Sequence, residues 1–157
     1  MTDDGTERGL VLVSEGLSSE AVATAHRAAL RVARPGIGTA HVDAYSDAPW
    51  PPEVLASYGA VLALGRAEAA ARGDSRRVDV GMGVDVDVRD DAQFALLLDL
   101  APYTIGAEGW RGDRPVFSAS DTGTSLWVRL TAAGEAELCA QLAARGVSPE
   151  VFVEAVR

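Results

Sequence analysis

The segment Val116-Phe117-Ser118-Ala119-Ser120-Asp121-Thr122-Gly123-Thr124-Ser125-Leu126-Trp127-Val128-Arg129-Leu130 holds two apolar-rich runs, 116–119 and 125–130, around a polar, glycine-containing turn. That pattern predicts a β-hairpin. Trp127 alternates with Leu126 and Val128, so it faces away from them. Helical signals follow at once. Thr131 can cap a helix with Glu135 and Glu137 early and Arg145-Gly146 at its end. Ser148-Pro149-Glu150 supplies a cap, a proline at the first helical position and an acid. A last helix is therefore expected to run to the carboxyl terminus, burying Val151, Phe152 and Val156.

Upstream of the hairpin, Leu10-Val11-Leu12-Val13 reads as a buried strand that ends at Ser14-Glu15-Gly16. Ser18 or Ser19 can cap a helix whose apolar face is Val22, Ala25, Ala29, Leu30 and Ala33, and Pro35-Gly36 stops it. Residues 39–45 look like a second strand, giving a βαβ unit with parallel strands. Residues 52–72 fit either one long helix or helix, strand and helix. The second reading is preferred, because it moves Gly59 and Gly65 to element boundaries, where glycine costs least. Over 77–88, Val78, Val80, Met82, Val84, Val86 and Val88 alternate with Asp79, Gly81, Gly83, Asp85 and Asp87, which predicts a long half-buried strand. Its two glycines suggest a bulge or a close backbone approach. Asp90 or Asp91 then caps a helix ending near Pro102, and 104–114, with three glycines, reads as an exposed loop. The fold expected is α+β: a single domain over 9–157 with a mixed β-sheet starting with a βαβ unit, a late β-hairpin and two C-terminal helices. Residues 1–8 are expected to form a disordered tail.

Composition narrows the partners. The chain has 157 residues, 23 acidic against 14 basic, and a net charge of -9. Such a surface repels nucleic-acid phosphates and anionic headgroups, so neither nucleic acid nor membrane is an expected partner. Every basic residue is arginine and asparagine is missing, which reads as the codon usage of a GC-rich bacterial genome. The polar, acidic start is unlike a signal peptide and no apolar run approaches membrane-span length, so cytoplasmic residence is expected. A single cysteine, Cys139, excludes an internal disulfide and reads as a small core residue.

Each reactive pattern has a plainer account. Asp85, Asp87, Asp90 and Asp91 could offer oxygens to a hard cation, but an EF-hand loop from Asp85 needs Gly and Glu where Asp90 and Leu96 stand. No metal and no cofactor is expected. Glycine spacing and the lack of lysine exclude the usual phosphate loops. Leu130-Thr131-Ala132-Ala133-Gly134-Glu135 after a hairpin resembles the wing-to-helix junction of MarR-type winged-helix regulators. That likeness would imply DNA binding, but strands are expected where the helix-turn-helix should be and the charge opposes DNA.

Two function classes follow. The first is a non-catalytic acidic protein-binding module, of immunity or antitoxin type, inhibiting a basic partner protein. Its contacts would be Trp50, Asp85, Asp87, Trp110, Arg111 and Trp127, since loop aromatics beside charges anchor interfaces. The second is a small α/β enzyme or small-molecule-binding domain with its site at Ser14, Glu15, His41 and Asp43, where a His-Asp pair could act as an oriented base. Oligomeric state stays open, and a hairpin edge could pair across a dimer axis.

Overall fold

A computed structural model describes residues 5–46, 48–73 and 79–156. Its elements are strands β1 (Arg8–Leu12), β2 (Thr39–Val42), β3 (Val84–Val86), β4 (Gly106–Arg111), β5 (Arg114–Ser120), β6 (Ser125–Leu130) and β7 (Phe152–Glu154), and helices α1 (Ser19–Ala33), α2 (Leu55–Ala71), α3 (Asp91–Leu100) and α4 (Ala132–Ala144). The strands make one sheet in the order β3-β2-β4-β5-β6-β1-β7. The chain is thus an α+β domain containing the expected β5–β6 hairpin.

Side-chain alternation divides the sheet into two faces. Val84, Val42, Ala107, Ala119 and Leu126 lie in cross-strand register and all are buried. α1 crosses that face over β5 and β6, α4 lies beside it over β6, and α2 and α3 cover the β3 end. α1 approaches closely because much of its inner side is small: Ala25, Ala28, Ala29 and Ala33, with Leu30 and His26 as the larger fully buried side chains. Ser18, Asp90 and Thr131 cap α1, α3 and α4 through bonds to Ala21, Gln93 and Gly134 amides. Among the described residues no helix covers the opposite face of the sheet.

Several expectations are corrected. The sheet is not mixed, because every neighbouring pair is antiparallel. β1 and β2 do run the same way with α1 between them, but β4, β5 and β6 separate them, so they do not pair. Residues 55–71 are one helix, not helix, strand and helix. Gly59 is exposed there, whereas Gly65 is where α2 touches the turn before β3, and a Cβ on Gly65 would collide with the Val80 carbonyl. The strand expected over 77–88 shrinks to Val84–Val86; residues 74–78 fall outside the described residues. Asp79 Oδ1 accepts from the Gly81 amide at 3.0 Å, the Gly81 carbonyl accepts from the Ala44 amide at 2.6 Å, and Gly83 turns at φ +61. These bonds fold 79–83 into a turn, and Gly81 meets the Ala44 carbonyl so closely that no Cβ fits.

At the loop expected over 104–114 the chain instead forms β4, whose inward residues, Ala107 and Gly109, are too small to show a hydrophobic period. The final helix is replaced by a single 3-10 turn, Pro149–Val151, and β7, which pairs with β1. Ser148 does cap the turn, accepting from the Glu150 amide at 3.3 Å. Of the tail expected at 1–8, residues 1–4 lie outside the described residues, but Glu7 is ion-paired and Arg8 opens β1. Cys139 is exposed on α4 and does not belong to the core.

Candidate functional site

On the uncovered sheet face one row of residues crosses all seven strands: Asp85, His41, Glu108, Ser118, Trp127, Val11 and Val153. Strict antiparallel register places them side by side, pointing away from the helices. The row has two halves. Asp85, His41 and Glu108 are acidic or polar; Trp127, Val11 and Val153 are apolar, and Val153 is 43% exposed.

Trp110 and Trp127 flank the centre. The Trp110 indole N–H donates to Glu108 Oε2 at 3.2 Å, and His41 Nε2 stands 3.7 Å from the same oxygen. Arg129 lies over the Trp127 ring, 5.2 Å from its centroid, and its Nε donates to the Pro115 carbonyl at 3.2 Å. Between the two indoles is an open cleft of about 400 Å³, lined by Glu108, Trp110, Pro115, Ser118, Trp127 and Arg129. A carboxylate beside aromatic walls suits a cationic or amphipathic side chain, because ring faces attract cations and the carboxylate supplies the counter-charge.

Gly9 makes room for this arrangement, since a Cβ there would stand 2.5 Å from Trp127 Nε1. Gly9→Ala is expected to shift the indole and its fluorescence emission while costing only about 1 kcal/mol of stability, because a half-exposed ring can move away. Unchanged emission would mean that Trp127 does not rest on Gly9.

Comparison with protein-family models, curated proteins and solved structures found no match. The site must be read from its own chemistry.

Of the residues the sequence singles out, Trp110, Trp127, His41 and Asp85 meet on this face. Asp85 is also 3.6 Å from Arg72. Asp87 belongs to the turn before α3, accepting from the Arg89 amide at 3.0 Å. Trp50 is elsewhere: it stacks on Tyr58 at 5.4 Å and donates to the Tyr45 carbonyl at 3.0 Å, closing that end of the core. Arg111 lies at the far end of β4 and binds Glu7.

Ser14 and Glu15 are not brought to His41 and Asp43. Four strand spacings, on the order of 19 Å, separate β1 from β2. Ser14 Oγ donates to the Thr124 carbonyl at 3.2 Å. Asp43 Oδ1 is taken by the Gly83 amide at 2.6 Å, which ties down the turn before β3, and His41 faces Glu108. Among the described residues no group of three or more His, Cys, Asp or Glu side chains is placed to hold a metal ion. No helix among them is long and apolar enough to cross a membrane. Sequence reading missed Glu108, Ser118 and Arg129. Glu108-Gly109-Trp110 and Trp127-Val128-Arg129 each carry a same-face pair two residues apart, a signal hidden in the first case by treating β4 as a loop.

Proposed function

We propose that the chain is a non-catalytic, acidic protein-binding module, of immunity or antitoxin type, whose uncovered sheet face covers a basic segment of a partner protein. One observation carries this reading: the cross-strand row is carboxylate-rich on one half and aromatic and aliphatic on the other, with Glu108 between Trp110 and the polar half. A cationic side chain from the partner would enter the cleft toward Glu108 and contact the indoles, while apolar neighbours would lie over Val11 and Val153. The net charge of -9 draws a basic partner in from solution, and the aromatic contacts then hold it.

Titration with an amphipathic peptide alternating arginine and leucine tests the reading. Wild type is expected to bind saturably, with affinity falling as salt rises. Glu108→Gln is expected to weaken binding by about tenfold and Trp127→Ala by more, as central aromatic anchors do. Equal binding by wild type and both variants would reduce the interaction to diffuse charge and remove the face from the account.

A further inference from the structure

The cleft between the two indoles holds charges of both signs, and each has capacity to spare. Glu108 is half exposed, and its contacts with Trp110 and His41 both fall on Oε2. Oε1 has no hydrogen-bond or ion-pair partner among the described residues. Arg129 lines the same cleft. Its Nε is used by the Pro115 carbonyl and its guanidinium lies over Trp127. Neither Nη1 nor Nη2 has a hydrogen-bond or ion-pair partner among the described residues. The surroundings leave this cation uncompensated. Burial lowers its pKa and the charges of Arg114 and Arg111 add to that, while Glu7, which raises it, is itself bonded to Arg111.

A purely cationic segment in this cleft is drawn to Glu108 but repelled by Arg129, which already holds the Trp127 ring. A segment with charges of both signs escapes that repulsion. Register sets the spacing it needs. Glu108, Ser118 and Trp127 lie side by side on β4, β5 and β6, and Arg129 is two residues beyond Trp127. Arg129 reaches toward β5, as its bond to Pro115 shows. Two residues of an extended strand span about 7 Å and carry both side chains on one face. We propose that the partner segment bound here carries a basic residue and an acidic residue two positions apart, the cation meeting Glu108 and the carboxylate meeting Arg129. Two free Nη groups side by side match the two oxygens of a carboxylate. Arg129 then sets a preference for mixed-charge strands over uniformly basic ones. This inference rests on the open face as the docking surface and adds the acidic residue to what that face selects.

The probes are the arginine–leucine peptide and two versions of it, with one central arginine replaced by glutamate or by glutamine. Each is titrated calorimetrically into wild type, Arg129→Gln and Arg129→Lys. Diffuse attraction to a chain of charge -9 ranks the glutamate peptide last, because its positive charge is the lowest of the three. Pairing with Arg129 reverses that order. Wild type is expected to bind the glutamate peptide about fivefold more tightly than the glutamine peptide, the upper range for a partly exposed ion pair. Arg129→Gln is expected to lose this preference, and Arg129→Lys, which keeps the charge, to retain it. A purely structural role for Arg129 would shift all three affinities together and leave their order alone. Weaker binding of the glutamate peptide by wild type, the same order in Arg129→Gln, or a preference lost in Arg129→Lys would overturn the proposal. Those results would still leave the open face as a surface for basic segments. Failure of all three peptides to bind wild type would remove the surface itself, and this inference with it. Free tryptophan is the last probe: if that small zwitterion bound as tightly as the glutamate peptide, the assignment to a protein segment would be overturned.

Discussion

Replacing Gly65 by alanine is expected to lower the unfolding free energy by about 2–3 kcal/mol, while the same replacement at Gly59 is expected to raise it by about 1 kcal/mol. Both residues lie inside α2, and alanine is the better helix former at each. The difference comes from what surrounds them. Nothing lies within 4 Å of a Cβ on Gly59, so only the helix propensity changes. At Gly65 the Cβ would overlap the Val80 carbonyl and press on Val84, and backbone cannot step aside by changing rotamer. α2 would have to lift from the turn before β3, exposing Val61 and Val84. Denaturant unfolding of the two variants should give midpoints on opposite sides of wild type. If both variants were stabilised, α2 would not touch the 79–83 turn.

Acid should destabilise the protein well above the range in which carboxylates titrate. His26 is fully buried on the inner side of α1, with Nδ1 2.8 Å from the Val22 carbonyl. Nδ1 therefore carries the proton and donates, leaving Nε2 as an acceptor with no hydrogen-bond partner among the described residues. Burial lowers the imidazole pKa from 6.5 to about 4, the Arg27 charge adds to the effect, and the bond to Val22 opposes it. The unfolded chain takes up the proton at its ordinary pKa and the folded chain resists it. Stability is thus complete above pH 6.5 and is lost as pH falls toward 4, by about 3 kcal/mol in all. Much of that loss falls between 6.5 and 4.5, before Glu7, whose pKa is lowered from 4.5, gives up its ion pairs. His26→Leu removes the titrating group and keeps an apolar side chain of similar bulk. Unfolding free energy measured from pH 7 to 4.5 should fall in wild type and stay nearly level in His26→Leu. Parallel slopes for the two proteins would place the acid sensitivity elsewhere.

How much of this could be read from the sequence depends on which side chains point inward. Leu126, Val128 and Leu130 are large, so the alternation of β6 was visible and put Trp127 on the outer face. β4 escaped because Ala107 and Gly109 face the core and carry little hydrophobic signal, and with β4 went the link between Glu108, Trp110 and His41. The opposite error arose at 79–83. Its alternation matched a strand, but Asp79 bonds the amide two residues on, a local closure that competes with sheet pairing. At the carboxyl end the helix-start signal was real but brief: Val151, Phe152 and Val153 favour an extended chain, and the uncovered edge of β1 gave it a partner. Strand order is beyond local patterning altogether, so sequence alone does not separate Ser14, after β1, from His41 on β2.

The uncovered sheet face as the surface that holds a basic protein can be tested most directly by affinity capture from the native lysate. Wild type and the Trp110→Ala/Trp127→Ala double variant would be used as baits, at low and high salt, with retained proteins identified by mass spectrometry. A protein of basic isoelectric point, held by wild type, lost from the double variant and released as salt rises, is the predicted result. Retention of the same proteins by both baits at both salt concentrations would contradict it.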